Sequence, residues 1–198
     1  MSEILYSKIT DALVSDGYII IPNAIGSDLS QNLCTLAKNL QNFKRAGISL
    51  HKTINANARR DKILWLNHDN AAQSDFLNFT EGLKEFLNRE LFIGLSYFES
   101  HFAIYGAGDF YEKHYDAFAS SKNRVVTVVY YLNENWVSER EGGELVIYDA
   151  NDAVIDKVLP ASDTLVVFMS EKFPHEVLEA KRERYSIAGW FRVDVKGA

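Results

Sequence analysis

Apolar residues recur every three or four positions in three stretches of the first half of the chain. Ile4, Leu5, Ile9 and Leu13 form one stripe, Leu29, Leu33, Leu36 and Leu40 a second, and Phe76, Phe79, Leu83, Phe86 and Leu87 a third. This spacing gathers side chains on one face of an α-helix, so three amphipathic helices with core-facing stripes are expected. Asp16-Gly17 is expected to end the first, while Ser27 and Asp28 are candidate caps for the second and Ser74 and Asp75 for the third. Tyr18 to Ile21 reads as a short strand stopped by Pro22. Gly47 to Asn70 has weak periodicity, with Ile63 to Leu66 its most strand-like part and a loop ahead of it.

From Tyr97 onward β-branched and aromatic residues dominate in short runs. Strands are expected at Tyr97 to Tyr105, Tyr111 to Tyr115, Arg124 to Leu132, Glu144 to Tyr148, Thr164 to Met169 and Arg184 to Val195. Gly142-Gly143 and Pro160 to Asp163 supply turns between them. Many short strands separated by turn signals suggest a barrel or jelly roll. The expected class is α+β with a mainly β core, in one domain over residues 1–198. Helical support and a loop occupy roughly residues 1–95 and the β core roughly 97–195, with no repeat, low-complexity segment or linker.

With 198 residues, 47% apolar and 13% aromatic, the chain can bury a substantial core. A formal net charge of -6 argues against a general nucleic-acid binder, whose affinity comes from a basic surface. The short clusters Arg59-Arg60 and Lys181-Arg182 sit beside acids and read as solvated faces. Cys34 is the only cysteine, so no intramolecular disulfide can form, and its setting between Leu33 and Leu36 suits a buried small apolar residue. No apolar run is long enough to cross a bilayer and no signal-peptide layout is present, so a cytoplasmic protein without a membrane partner is expected.

The chemistry-bearing stretch is His114-Tyr115-Asp116. On an extended segment, residues two apart point to the same side, which sets an imidazole beside a carboxylate. With His175 downstream, the set matches a two-histidine, one-carboxylate facial triad, the arrangement that holds non-haem Fe(II) and leaves positions open. The bland reading is a surface pair, or a capping Asp beside an ordinary histidine, in a chain with five histidines and twenty-seven acids. His51, His68 and His101 have no partner at ligand spacing and read as structural or solvated. Arg184, Ser186, Ala188 and Trp190 share one strand face, and Thr127, Val129 and Tyr131 share another, so two faces can line one pocket.

From about Asp61 to Val193 the chain resembles the prolyl 4-hydroxylase-type 2-oxoglutarate and Fe(II)-dependent dioxygenases, and within them the prolyl-hydroxylase-domain enzymes. The resemblance rests on His114-Tyr115-Asp116, Tyr130-Tyr131-Leu132-Asn133 with Trp136, Gly142-Gly143-Glu144-Leu145, Phe173-Pro174-His175-Glu176-Val177, and Arg184-Tyr185-Ser186-Ile187 with Trp190. It implies a double-stranded β-helix of the jelly-roll, cupin-like kind, with Fe(II) held by His114, Asp116 and His175 at its open end. It further implies that Arg184, helped by Tyr131, pairs with the distal carboxylate of 2-oxoglutarate. An Arg fork suits that task because it binds a carboxylate bidentately and stays charged when desolvated. Thr127, Val129, Leu145, Val177, Ser186 and Trp190 would touch the co-substrate, and Tyr105 and Tyr111 would approach the iron-bound ligand or the substrate.

The implied reaction consumes O2 and 2-oxoglutarate, releases succinate and carbon dioxide, and hydroxylates a prolyl residue of a protein at C4, with ascorbate as a reductant. Elongation factor Tu is one protein substrate known among such relatives. The resemblance also suggests an ion pair between Asp61 and Arg124 that holds the Gly47 to Asp61 loop over the bound chain. Three other readings stay open: an oxygenase of a small molecule or free amino acid, a nucleic-acid demethylase, and a non-catalytic cupin-like binding or sensing module. The acidic balance and Trp190, where a basic residue would be expected on the final strand, count against the second.

Overall fold

Strands with apolar residues on both faces need cover on both sides, and this requirement shapes the molecule. The computed structural model describes residues 2–47, 58–117 and 123–194. Its elements are α1 (Ser2–Ser15), β1 (Tyr18–Ile21), α2 (Ser27–Asn39), β2 (Lys44–Arg45), β3 (Lys62–Trp65), α3 (Ala71–Leu91), β4 (Tyr97–Tyr105) and β5 (Tyr111–His114). They continue as β6 (Arg124–Tyr131), α4 (Ser138–Glu141), β7 (Leu145–Tyr148), β8 (Val154–Val158), β9 (Leu165–Met169), β10 (His175–Val177) and β11 (Arg184–Arg192). No helix among the described residues is long and apolar enough to cross a membrane.

The strands form two antiparallel sheets, ordered β1-β9-β6-β11-β4-β3-β2 and β5-β10-β7-β8. Alternation along β6 and β11 divides the core in two. Val126, Val128, Tyr130, Ile187 and Phe191 pack outward with Ile9, Leu13, Leu33, Phe76, Leu83 and Leu87 of the helices. Each such buried side chain stabilises the fold by roughly 1.5–3 kcal/mol relative to exposure. Val129 and Tyr131 pack inward with Leu145, Ile147 and Val177 of the smaller sheet. The result is a mainly β jelly roll backed by N-terminal helices, as the strand pattern predicts.

The helix starts differ from expectation. Asn70 caps α3 by accepting from the Ala72 N–H at 2.8 Å, so Ser74 and Asp75 lie inside the helix. Gly26 occupies the cap of α2 without a side-chain bond, and its N–H and that of Ile25 instead donate to the Asp163 carboxylate at 3.1 and 2.9 Å. The acceptor comes from the distant Pro160 to Asp163 turn, so local sequence could not reveal it. The short strands β8 and β10 were also not expected. The Gly47 to Asp61 loop lies mostly outside the described residues, as do His51 and Val195.

Candidate active site

Register brings the two histidines together: β10 pairs with β5 so that His175 lies opposite His114. Their ring centroids are 4.4 Å apart. Asp116, two residues beyond His114, places its carboxylate oxygens 3.7 Å from His114 Nε2 and 3.5 Å from His175 Nε2. One candidate ligand atom from each of the three residues lies within 4.8 Å of the others. His114 Nδ1 is 2.7 Å from the Glu112 carbonyl and His175 Nδ1 is 3.0 Å from the Phe173 carbonyl. A carbonyl only accepts, so each Nδ1 carries the proton and each Nε2 presents its lone pair to the centre.

Electrostatics prepare the same atoms. Burial, reinforced by His114, pushes His175 down to about 4 against the pull of Asp116, so its imidazole is neutral near pH 7. Burial alone would raise Asp116, but His175 and His114 outweigh it and hold the carboxyl well below its usual range. Thr127 Oγ1 donates to Asp116 Oδ2 at 2.9 Å and fixes its orientation. Tyr111 stacks on the His114 ring with centroids 3.7 Å apart. The donor set and its exposed lone pairs fit a divalent metal of the Fe(II) type.

The far end of the pocket is cationic. Arg184 is 1% exposed, donates through Nε to the Gly143 carbonyl at 2.8 Å and through Nη1 to Ser186 Oγ at 3.1 Å, and has no acidic partner among the described residues. Its guanidinium lies 4.8 Å from the Tyr105 ring and 5.0 Å from the Tyr131 ring. Gly143 has φ +72°, and a Cβ there would stand 3.1 Å from Arg184 Cδ, so glycine permits both the turn and the close approach. The buried Tyr131 hydroxyl has no hydrogen-bond partner among the described residues. Burial pushes that phenol up to about 12 against the opposing Arg184 charge. A buried cation without a counter-ion beside an unpaired hydroxyl fits a carboxylate ligand.

The structure brings His114, Asp116, His175, Arg184, Thr127, Tyr105, Val129, Leu145, Val177, Ser186, Trp190 and Tyr111 around one pocket. Tyr131 lies behind it, under Arg184. Four further residues, Arg59, His101, Ala103 and Ala188, line it as well. His101 is buried, with both ring nitrogens unpartnered among the described residues, and burial assisted by Arg59 and Arg124 pushes it down to about 3. Nothing in its sequence surroundings marked it out.

The expected Asp61–Arg124 pair does not form. Asp61 is fully buried and receives both Nε (2.5 Å) and Nη2 (2.8 Å) of Arg59, only two residues away. Arg59 is therefore no solvated face, and its guanidinium also lies 4.5 Å over the Tyr111 ring. Arg124 instead sits 3.6 Å over the Trp190 ring, with Nη2 3.6 Å from Glu99 and Nη1 donating to the Asp116 carbonyl at 3.4 Å.

Comparison with known proteins gives this geometry relatives. The 2OG-Fe(II) oxygenase superfamily pattern matches residues 100–192. A prolyl-4-hydroxylase crystal structure from Pseudomonas putida superposes with a TM-score of 0.87 at 34% identity, covering 95% of this chain and 99% of that one. A Trichoplax adhaerens prolyl hydroxylase, solved with a hypoxia inducible factor oxygen degradation domain peptide fragment, follows at 0.82 and 29%, over 96% of this chain and 90% of that one. The curated Caenorhabditis elegans hypoxia-inducible factor prolyl hydroxylase is 38% identical over 91 residues, and human prolyl hydroxylase EGLN3 is 36% identical over 87. These segments make up 45% and 43% of this chain but only 12% and 36% of the relatives, so the chain matches well under two thirds of either. Similarity over nearly all of both chains in the Pseudomonas comparison nevertheless settles the family: this chain belongs to the 2OG-Fe(II) oxygenase superfamily, in its prolyl 4-hydroxylase branch.

Proposed function

We propose that the protein is a prolyl hydroxylase that uses Fe(II), 2-oxoglutarate and O2 to convert a prolyl residue of a protein substrate into 4-hydroxyproline, with succinate and carbon dioxide as co-products. The observation that carries this reading is a single pocket with His114 Nε2, Asp116 and His175 Nε2 at one end and the unpaired Arg184 at the other. His114, Asp116 and His175 would hold the iron, and Arg184 with Tyr131 and Ser186 would hold the distal carboxylate of 2-oxoglutarate. When bound, the two supply the oxidising power for C–H hydroxylation.

The chain's own residues position and shield. Thr127 orients Asp116, and the two Nδ1 bonds to backbone carbonyls aim the imidazoles. Val129, Leu145 and Val177 form an apolar wall that keeps water from the reacting centre. Tyr111 braces His114 and in turn lies against Arg59. A protein substrate is favoured by the names of the relatives and by the peptide bound to the Trichoplax enzyme. Elongation factor Tu enters this proposal through the family resemblance alone, and so does ascorbate as a reductant. A cytoplasmic setting rests on the need to keep iron ferrous.

The test has two parts. Succinate release from 2-oxoglutarate with added Fe(II) is compared between wild type, Asp116→Ala and Arg184→Ala, and activity unchanged by either substitution would refute the assigned roles. Mass spectrometry of proteins from cells with and without the chain then seeks a proline whose extra oxygen atom depends on it. Its absence, with succinate still formed, would shift the reading to a small-molecule substrate.

A further inference from the structure

A groove adjoins the pocket and shares Arg59, His101 and Trp190 with it. Its remaining wall comes mainly from β2 and β3. Four cations line it, Lys44, Arg45, Arg59 and Arg124, and among the described residues no acidic side chain does. Asp61 offsets Arg59, while Glu99 is shared between Arg124 at 3.6 Å and Arg192 at 2.6 Å. Lys44 and Arg45 are exposed and have no ion-pair partner among the described residues, and the sequence from Phe43 to Arg60 contains no acid at all. Lys44 and Arg45 alone therefore contribute an unpaired local charge of +2 on a chain whose net charge is -6. Exposed basic residues on an edge strand are also a common guard against aggregation, but that role does not require them beside a catalytic pocket.

The neck between groove and pocket provides a second, independent sign of a ligand. Among the described residues, His101, 2% exposed, has neither ring nitrogen bonded, and the Trp190 indole N–H beside it is also unpartnered. Their rings lie 5.4 Å apart, and the half-exposed Trp65 packs edge-on to His101 at 5.2 Å. Buried donors and acceptors left unpaired cost stability, so such groups mark where an occupant brings its own polar atoms. A peptide main chain offers both carbonyls and N–H groups, and aromatic faces such as Trp65 suit its apolar side chains.

Resting on the prolyl hydroxylase reading above, we infer that this groove takes an extended, acidic peptide segment whose proline passes His101 and Trp190 into the iron pocket. Charge complementarity names the occupant: acidic side chains beside the proline meet Lys44 and Arg45 and are drawn to a local cationic field on an otherwise acidic protein. A single-stranded nucleic acid is the other polyanion with aromatic affinity, but the overall negative charge opposes the many phosphate contacts it needs.

The experiment uses the full chain with Fe(II) and 2-oxoglutarate and three sets of short synthetic peptides. Each peptide has one central proline, and its flanks are acidic, neutral or basic. Hydroxylation is read by mass spectrometry at low ionic strength. The acidic set is expected to exceed the basic set by about tenfold in kcat/KM, with the gap narrowing as salt is added. The double reversal Lys44→Glu and Arg45→Glu should invert the preference toward basic flanks, a gain that misfolding cannot produce. Equal hydroxylation of all three sets, or a preference that survives the reversal, overturns the inference and leaves the prolyl reading intact. No hydroxylation in any set overturns both. A single-stranded DNA oligonucleotide that binds more tightly than the acidic peptides, and loses binding on reversal, assigns the groove to nucleic acid and refutes the peptide.

Discussion

Thr127→Val should weaken metal binding far more than it changes the fold. Thr127 is buried, with Oγ1 2.9 Å from Asp116 Oδ2 and 2.8 Å from Ser170 Oγ. A carboxylate can only accept, so the single Thr127 proton goes to Asp116 and Ser170 must donate to Thr127. Valine keeps the shape and removes both bonds. A hydrogen bond to a charged group contributes about 1.5–3 kcal/mol. If that bond is what fixes the Asp116 carboxylate, its loss should lower metal affinity by about 10–100-fold, the usual cost of removing an outer-shell partner. The two figures agree, since tenfold corresponds to about 1.4 kcal/mol. The assay is calorimetric titration of the metal-free protein with Mn(II), a redox-stable stand-in for Fe(II). Ser170→Ala is the matched control: it leaves the Thr127–Asp116 bond in place and should change affinity by no more than about threefold. An affinity for Thr127→Val within about twofold of wild type, or an equal loss in Ser170→Ala, would show that Asp116 is held by other means.

Arg184→Lys should raise the KM for 2-oxoglutarate by about 10–100-fold, because an ammonium cannot reproduce the planar fork held by Gly143 and Ser186; succinate release checks it, and a wild-type KM would remove Arg184 from the co-substrate site. The pH dependence of stability should carry a His101 contribution. Its native pKa of about 3 lies below the ordinary 6.5, so the unfolded chain takes up the proton first as pH falls, and stability present above 6.5 is lost below it. Between pH 7 and pH 5 the loss from this group is about 2 kcal/mol, measurable by urea unfolding of the metal-free protein, and His101→Phe should flatten that part of the slope. Gly189→Ala should cost at least about 1–3 kcal/mol, since the added Cβ would come within 2.6 Å of Ser100 Cβ and 2.8 Å of the Glu99 carbonyl oxygen; an unchanged melting temperature would contradict that packing.

Where the sequence pattern reports on a whole face, it was legible. The stripe of Phe76, Leu83 and Leu87 announced α3, and the run through Val126, Val128 and Tyr130 announced β6, because each is buried along its length against a large partner. Ends and short pieces were not. Ser74 and Asp75 look as good a cap as Asn70, and only the reach of Asn70 Oδ1 to Ala72 N–H decides between them. β10 is three residues long and exists because β5 and β7 flank it, a tertiary condition absent from its own composition. The Asp61 partner failed for a related reason. Arg59 is local, bidentate and half-buried, while Arg124 is occupied by Trp190, Glu99 and the Asp116 carbonyl. A short-range pair with both bonds made prevails over a long-range one that would have to leave an aromatic face.

Parity along two strands ties stability to chemistry. On β11, Arg184, Ser186, Ala188 and Trp190 face the pocket while Tyr185, Ile187 and Phe191 face the helices, and on β6 Thr127, Val129 and Tyr131 face in while Val126, Val128 and Tyr130 face out. A one-residue slip of either strand would exchange the sets, burying Arg184 or the Asp116-orienting Thr127 among phenylalanines. The outward set, packed against α1, α2 and α3, makes that slip costly, so the helices act on the site by holding register rather than by touching it. Core truncations such as Leu83→Ala should therefore lower stability by about 2–5 kcal/mol while leaving the pocket's ligand geometry intact in the molecules that remain folded. A metal affinity that fell in step with stability in such variants would mean that the helical layer shapes the site directly.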